Sequence, residues 1–438
     1  MRSRWLVSLV WVLLAQPVWG MDLRQALERA RTSDSTYQAT RQEMVGLAEL
    51  VPHARAALLP NASLTASRNR VWLDREDEGS PSASSYYSLN NALVVRQPLW
   101  RRPQWVQLQQ ARTQAGTEAF IGRKAEADLL VKVASAYFDL LYAEQSIVYT
   151  QAVLEASGQQ LTGARRIFEM GQGTRTDIDE AQARVDLAVA QSQQAKQALS
   201  YAHRQLAQLV GGAVTALQPL RIEQVRAPQL SQPLQEMLEQ AMEQNPDVQL
   251  ATTRLALAEL EVSKSEAGHQ PTLDLVGQRA ISKSENTQSP RSNYLSSQIG
   301  VQLNVPLFAG GAVNSAVRQA LANRDRERFV LEQVRKDLTL KIEREFNTLT
   351  EGGDRLAAAR QSLHSARQVV VSVGKGIQAG TRTVIDRTHA TQKQAEALRE
   401  LALVQYQLQL ARLRLAALSG TGLSEALDEV NRQLGAQP

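Results

Sequence analysis

The chain has 438 residues, a net charge of +5 at neutral pH and no cysteine. The lack of cysteine excludes disulfides, thiol chemistry and cysteine metal sites, and a chain so close to neutral lacks the basic surface of a nucleic-acid-binding protein. The 5 histidines show no metal-ligand spacing, and no phosphate-binding loop or nucleophile motif occurs. We therefore expect no catalytic residue, no metal, no cofactor and no nucleic-acid partner, and the chain is not predicted to be an enzyme.

Residues 1–20 have the pattern of a secretory signal peptide. Arg2 and Arg4 precede an apolar run that is too short to span a membrane as a mature helix. Its removal would lower the net charge from +5 to +3. No cysteine lies near the expected cleavage site, so no lipid anchor is expected. No later stretch approaches the ~18 apolar residues of a membrane-spanning helix, so a membrane-embedded part would have to consist of strands.

A duplicated heptapeptide indicates an internal repeat. Gly-Thr-Arg-Thr-x-Ile-Asp occurs at 173–179 and at 380–386, and the motifs around it recur in the same order. We predict two α-β-β-α repeats. The predicted boundaries are 21–218 for the first repeat, 219–233 for a linker, 234–420 for the second repeat and 421–438 for a C-terminal tail.

Proline distribution and apolar spacing predict long helices. No proline lies between Pro103 and Pro219 or between Pro306 and Pro438, so helical hairpins are expected at about 103–210 and 312–420. Arms of ~65 residues would be roughly 100 Å long. Glycines at 158, 163, 352 and 353 predict a local break or bend.

The second arm of each hairpin carries apolar residues at alternating spacings of three and four, which is typical of a coiled coil. An ordinary helix-bundle core is the alternative. The predicted seam residues are Val185, Ala188, Ser192, Ala195, Leu199, Ala202, Leu206 and Leu209 in the first repeat, and Leu401, Val404, Leu408, Ala411, Leu415 and Leu418 in the second.

Alternation of apolar and polar residues predicts two strand hairpins, at about 61–99 and 272–308. The segment 293–307 alternates most regularly, and its polar side carries no charge, as a channel lining would. Polar loops are expected at 74–84 and 284–293. The alternative is a small sheet packed on a soluble bundle. Four strands cannot close a membrane barrel, which needs about eight, so several chains would have to form it together.

Two aromatic residues follow the predicted strands, Trp100 and Phe308. Tryptophan and other aromatic side chains are enriched at membrane interfaces. We therefore predict that both lie at the membrane interface of the strand region. The alternative is plain core packing.

The order of these motifs resembles the TolC family of outer membrane factors. The resemblance rests on Gln97-Pro98-Leu99-Trp100, on 305–311, on Gly380-Thr381-Arg382-Thr383 and on 176–184. It implies a homotrimer with four strands per chain in a 12-stranded outer membrane barrel, in contact with outer membrane lipid, and a periplasmic coiled-coil tunnel. It further implies docking to a periplasmic adaptor (membrane fusion) protein and an inner-membrane pump.

The resemblance also implies a gate at the periplasmic tip. Arg382 would link helices by meeting Thr176 and Asp177. Asp386 would form an acidic ring at the pore constriction, where His389 replaces a second aspartate of the relatives. The alternative is a set of solvated helix-cap charges.

The predicted function is an outer membrane channel for export. Residues 97–102, followed by Trp105, and residues 53–60 resemble members that serve type I protein secretion with an ABC transporter. The outer membrane component of a drug or metal efflux system, with an RND or other pump, is the alternative. A periplasmic coiled-coil structural or adaptor protein is the alternative from another class.

Overall fold

The computed structural model describes residues 20–77, 80–214, 216–220, 232–286 and 289–435. The predicted signal peptide, apart from residue 20, and most of the predicted linker lie outside these residues. The described residues form α1 (Leu23–Ser33), α2 (Ser35–Ala48), α3 (Leu50–Ala56), β1 (Asn61–Asp77), β2 (Ser80–Trp100), α4 (Arg102–Ala115), α5 (Glu118–Glu169), α6 (Arg175–Val210), α7 (Leu234–Gln244), α8 (Pro246–Glu266), β3 (Thr272–Asn286), β4 (Ser289–Asn304), α9 (Ala312–Gln378), α10 (Val384–Ser419) and α11 (Leu423–Arg432). The mostly helical chain with four strands is confirmed.

The chain forms two compact units, and each takes segments from both predicted repeats. The helical unit contains the described residues up to Gln38, from Glu126 to Ala241 and from Leu340 onward. The strand unit contains Ala39 to Ala125 and Met242 to Thr339. In the described part of the chain, no helix has the length and apolar content needed to cross a membrane.

The strand unit holds one antiparallel sheet in the order β1-β2-β3-β4. The predicted loops at 74–84 and 284–293 are wrong, because β1 and β2 continue to Asp77 and Ser80 and β3 and β4 to Asn286 and Ser289. A backbone ladder needs no apolar side chains, so polar composition alone did not end these strands. The predicted second hairpin, which ended at about 308, is also too long, because β4 ends at Asn304. Pro306 cannot donate to a ladder.

The two faces of this sheet differ in polarity. One face is apolar and exposed, and includes Leu64, Leu93, Leu295, Ile299, Val301 and Leu303. The opposite face carries small polar residues, including Ser63, Thr65, Asn90, Gln278, Ser296, Gln298 and Gln302. A sheet that exposes its apolar face to solvent in a single chain is suited to lipid or to another protein surface.

The core of the helical unit surrounds a buried tyrosine on α5. Tyr137 is completely buried, and its hydroxyl lies 2.9 Å from the Met21 carbonyl and 2.7 Å from the Gln218 carbonyl. Burial raises the pKa of Tyr137, so the hydroxyl stays protonated and can donate. Phe138 stacks on Tyr406 of α10 with ring centroids 5.5 Å apart. This core fixes the segment around Met21 next to α5, which itself packs on α10.

The long helices are continuous where breaks were predicted. Glycines at 158 and 163 lie inside α5, and those at 352 and 353 lie inside α9. The prediction of a break at these glycines is wrong. At Gly352, an added Cβ would lie 2.1 Å from Leu408 Cδ2, so this glycine allows close packing against α10. The observed break falls at Gly116 and Thr117, between α4 and α5.

Burial confirms most of the predicted seam, but Val185, Leu199 and Leu418 are only partly buried. In α6 the buried residues include Ala188, Ser192, Ala195, Ala202, Leu206 and Leu209, and in α10 they include Leu401, Val404, Leu408, Ala411 and Leu415. The predicted C-terminal tail contains a packed helix, α11, which buries Ala426, Leu427 and Val430.

Candidate functional site

The first helix tip, in the helical unit, joins α5 to α6. Gly171 has a φ of 76°, a left-handed conformation that favours glycine. Thr174 then caps α6. The Thr174 amide and hydroxyl donate to Asp177 Oδ2 at 2.8 and 2.7 Å, and the Asp177 amide donates to Thr174 Oγ1 at 3.2 Å. This reciprocal capping box ends the turn and starts the helix.

The second tip, between α9 and α10, has the same construction. Gly380 has a φ of 72°, and the Thr383 amide and hydroxyl donate to Asp386 Oδ2 at 2.8 and 3.0 Å. Both following helices are 36 residues long. Thr174 therefore corresponds to Thr383, whereas the matching heptapeptides pair Thr174 with Thr381. The sequence match is out of register with the structural repeat by two positions.

The two capping carboxylates have similar electrostatics. Hydrogen bonds from the Thr174 backbone and side chain lower the pKa of Asp177. Hydrogen bonds from the Thr383 backbone and side chain likewise lower the pKa of Asp386, with smaller contributions from Arg382 and His389. Each negative charge also lies at the positive end of a helix dipole. Both aspartates are therefore ionised at neutral pH and stabilise the first turn of their helices.

A groove of about 380 Å³ lies between the α5–α6 tip and the start of α10. It is lined by Gln160, Gly163, Ala164, Ile167, Gly173, Asp177, Glu180, Ala181, Arg184, Ile385 and His389. At Gly163, an added Cβ would lie 2.7 Å from Ile385 Cδ1. The glycine therefore lets the second tip approach the first.

A short hydrogen-bonded chain crosses this groove. Gln160 Nε2 donates to His389 Nε2 at 2.7 Å, and Arg184 Nη1 donates to Gln160 Oε1 at 3.2 Å. His389 Nε2 must then accept, which requires a neutral imidazole with its proton on Nδ1. The structure thus places His389 against the first tip of its own chain. Whether it also faces a pore stays a prediction.

The predicted latch residues are not joined within the chain. Among the described residues, Arg382 makes no side-chain hydrogen bond or ion pair, and Asp177 bonds to Thr174. Arg382 instead packs its stem over α9, since a Cβ added to Gly376 would lie 2.6 Å from Arg382 Cγ. Thr176 is exposed. The contact of Arg382 with Thr176 and Asp177 stays a prediction.

The family model described as "Outer membrane efflux protein" matches residues 47–212 and 237–421. These ranges include both tips and all four strands. The chain belongs to the outer membrane efflux protein family. It is therefore an outer membrane channel protein and not an enzyme, and the resemblance to the TolC family is confirmed. Family membership decides against a periplasmic adaptor and implies a trimer with pump partners.

Relatives of the efflux protein family align over nearly the whole chain. The alkaline protease secretion protein AprF of Pseudomonas aeruginosa is 28% identical, with 98% of this chain and 90% of AprF covered. The outer membrane protein TolC of Vibrio cholerae is 27% identical, with 96% and 95% covered. The Campylobacter jejuni CmeC outer membrane channel has the same fold, with a TM-score of 0.75, 15% identity and coverage of 94% of this chain and 89% of CmeC.

The aromatic residues expected at the membrane interface of this efflux family member are both exposed. Trp100 ends β2 and is 52% exposed, and Phe308 follows β4 and is 88% exposed. Exposure argues against core packing in the single chain. Their position at a membrane interface stays a prediction.

Sequence reasoning missed three residues that bring the tips together, Gln160, Gly163 and Ile385. Gly163 could have been predicted as a contact residue, because a glycine inside a long helix often has a packing role. It also missed Asp274, which is 5% exposed and accepts from Arg101 Nε at 2.7 Å. An aspartate on the polar face of a strand gave no sequence signal for that partner.

Proposed function

We propose that three copies of this chain form one continuous export channel, with a 12-stranded outer membrane barrel and a periplasmic helical tunnel. The observation that carries this proposal is the open sheet. Among the residues that the structure describes, β1 and β4, of 17 and 16 residues, each have one edge without a partner strand. Unpaired backbone groups are not tolerated in lipid. Pairing of β1 with the β4 of a neighbouring copy satisfies both edges, and the apolar face would then lie toward lipid.

We further propose that the channel serves type I protein secretion, together with a periplasmic adaptor and an inner-membrane ABC transporter. Two relatives of this class support the assignment. AprF, an alkaline protease secretion protein, is 28% identical, and the proteases secretion protein PrtF of Dickeya chrysanthemi is 27% identical over 96% of this chain.

The competing assignment is the outer membrane component of a drug or metal efflux system. The outer membrane efflux protein BepC of Brucella suis is 25% identical over 71% of this chain, and the probable efflux pump outer membrane protein TtgC of Pseudomonas putida is 23% identical over 62%. Both matches cover less of the chain than those to the two protease secretion proteins, and we therefore favour type I secretion.

Deletion of the gene distinguishes the two assignments. In the native bacterium, an in-frame deletion should remove at least one protein from the culture medium, and the wild-type gene should restore it. Drug and metal sensitivity should change little. Raised sensitivity with an unchanged set of secreted proteins would contradict type I secretion and favour efflux.

The helix tips are proposed as the periplasmic gate of this channel. Arg382 would contact Thr176 and Asp177 of a neighbouring copy, and Asp386 and His389 would line the constriction around the threefold axis. Six side chains of this kind would set the charge of the pore at its narrowest point.

Single-channel recording tests the gate. If residue 389 lines the constriction, a charge placed there acts directly on the ions that pass. The substitution H389D should therefore raise the cation current relative to H389A, and the substitution R382Q should raise the closed-state conductance. Identical currents for H389D and H389A would contradict the proposed position of His389.

A further inference from the structure

Four cationic side chains lie on the apolar face of the sheet, where lipid contact is proposed. Arg68 and Arg70 belong to β1, and Arg279 and Lys283 belong to β3. The register fixes their common face: Arg68 pairs with Leu89, and Leu89 pairs with Lys283. In the same way, Leu93 pairs with Leu64 on one side and with Arg279 on the other. All four cations are exposed.

Aromatic rings are interleaved with the two arginines of β1. The Arg68 guanidinium lies 4.9 Å from the centre of the Tyr87 ring, and that of Arg70 lies 5.4 Å from the Trp72 ring and 5.7 Å from the Tyr87 ring. Trp72 and Tyr87 are 71% and 51% exposed. Tryptophan and tyrosine with cationic neighbours are characteristic of the level at which hydrocarbon meets headgroups.

The four cations form no ion pair with a described carboxylate, although Asp74 lies on the same face of β1 as Arg70. No described carboxylate lies within 4.0 Å of any of the four. The sheet has acidic partners elsewhere, since Asp274 is paired with Arg101 and lies 3.8 Å from Arg96 on the opposite face. A cation without an ion partner on a lipid-facing surface is destabilising, so these positions favour an anionic ligand at the interface.

The four cations lie between the middle of the sheet and its hairpin turns. β1 runs from Asn61, which follows α3, toward the turn after Asp77, and Arg68, Arg70 and Trp72 lie beyond its apolar Leu64. Lys283 lies near the turn end of β3. Arg279 is the deepest of the four, beside Leu93, and its long stem can extend the guanidinium toward the headgroups.

We propose that Arg68, Arg70, Arg279 and Lys283, with Trp72 and Tyr87, form a binding surface for the phosphate of an anionic membrane lipid at the turn end of the barrel. Guanidinium groups bind phosphate through two parallel hydrogen bonds, and the flanking rings occupy the interface beside the acyl chains. The occupant is a lipid and not a free anion, because the same surface presents exposed Leu64 and Leu93 next to the charges. This inference rests on the proposed function, since it takes the apolar face as the lipid face of the trimer.

The test is native mass spectrometry of the purified trimer in detergent, with phosphatidylglycerol or with phosphatidylcholine of identical acyl chains. We expect the trimer to retain phosphatidylglycerol preferentially. Replacing Arg68 and Arg70 together by glutamine should weaken this retention about tenfold or more, because each charge-assisted contact contributes about a factor of ten. Replacing both by lysine should restore only part of it, because an ammonium group keeps the charge but lacks the two parallel hydrogen bonds.

A matched control removes the same charge from helices. The double substitution R204Q/R318Q, at exposed positions of α6 and α9, should leave lipid retention unchanged. Equal retention of both lipids by the wild type, or equal loss in the control, would overturn the proposal. Displacement of the lipid by inorganic phosphate at the same concentration would overturn it in favour of a simple anion site.

Failure of this proposal can be distinguished from failure of the proposed function. If the wild type does not form a heat-modifiable trimer, the channel proposal fails. If the trimer forms, and the R68Q/R70Q trimer forms equally well but binds phosphatidylglycerol as tightly as the wild type, the lipid surface alone is wrong.

Discussion

The two helix tips share one construction and differ in their contacts. Each has a left-handed glycine, a capping threonine and a capping aspartate, with bond lengths that agree within about 0.3 Å. The differences lie around this frame. The second tip carries Arg382 over Gly376, and it contributes Ile385 and His389 to the groove of the first tip. The common part therefore forms the turn, and the parts that differ form the contact between tips.

The strongest test of the common frame is a valine at each left-handed glycine. Positive φ disfavours side chains by about 1–2 kcal/mol, and β-branched side chains most. G171V and G380V should therefore weaken amide protection at the start of α6 and α10 by about tenfold or more. Amide hydrogen exchange measures the protection at the start of both helices. Protection of the tip in one variant and not in the other would show that the two turns are not equivalent.

Removal of the capping threonine should have a smaller and equal effect at both tips. T174A and T383A should each cost about 1 kcal/mol of local stability, because the N-cap side chain is lost. The exchange rates of the Asp177 and Asp386 amides report this directly. Serine at either position should behave as wild type. A loss of stability in T383A but not in T174A would show that the contact between the tips, and not the N-cap hydrogen bond, determines local stability.

Loss of the bridge between the tips should affect the second tip more than the first. The substitution Q160A removes the donor to His389 of α10 and the acceptor for Arg184 of α6, which is expected to cost about 1 kcal/mol. Exchange should increase more at the start of α10 than at the start of α6, because His389 lies nearer the start of its helix than Arg184 does. Q191A, at an exposed position of α6, is the matched control. Equal exchange in both variants would contradict a role for Gln160 in joining the tips.

Acidification should destabilise both capping boxes, whereas a change of pH near neutrality should have little effect on them. The pKa of each aspartate is lowered on folding, so its stabilisation is present above the unfolded pKa of about 3.9 and is lost as pH falls through the folded pKa. D177N and D386N should remove this acid dependence, each at its own tip. R382Q should raise the pKa of Asp386 only, which nuclear magnetic resonance titration can detect.

Much of the fold was predictable because it repeats a simple period over long stretches. Alternating spacings of three and four identified the seam at Ala188, Leu206 and Leu408, and period two identified the strands. Glycines at 163 and 352 misled the prediction. Intrinsic propensity treats a glycine as a weak point, whereas here packing against Ile385 and Leu408 fixes the helix around it.

The candidate site was predictable only in part. Asp177 and Asp386 were singled out for a gate, which stays a prediction, whereas the structure shows both in capping boxes. The heptapeptide match also gave the wrong register, because Thr-x-x-Asp caps follow helix geometry and not residue identity. Gln160 was not identified, since its partner His389 is 229 positions away. No local pattern specifies a contact at that separation.

The Tyr137 hydroxyl has a consequence for the order of folding. It lies at the meeting point of Met21 and Gln218, and the adjacent Leu220 bridges to Leu434, with the Gly435 amide donating to the Pro219 carbonyl at 3.0 Å. The segments at Met21 and at Leu434 therefore both contact the same short segment in mid-chain. Contacts of such long sequence separation form slowly. We therefore expect this part of the helical core to form late in folding, after the long helices and their local contacts.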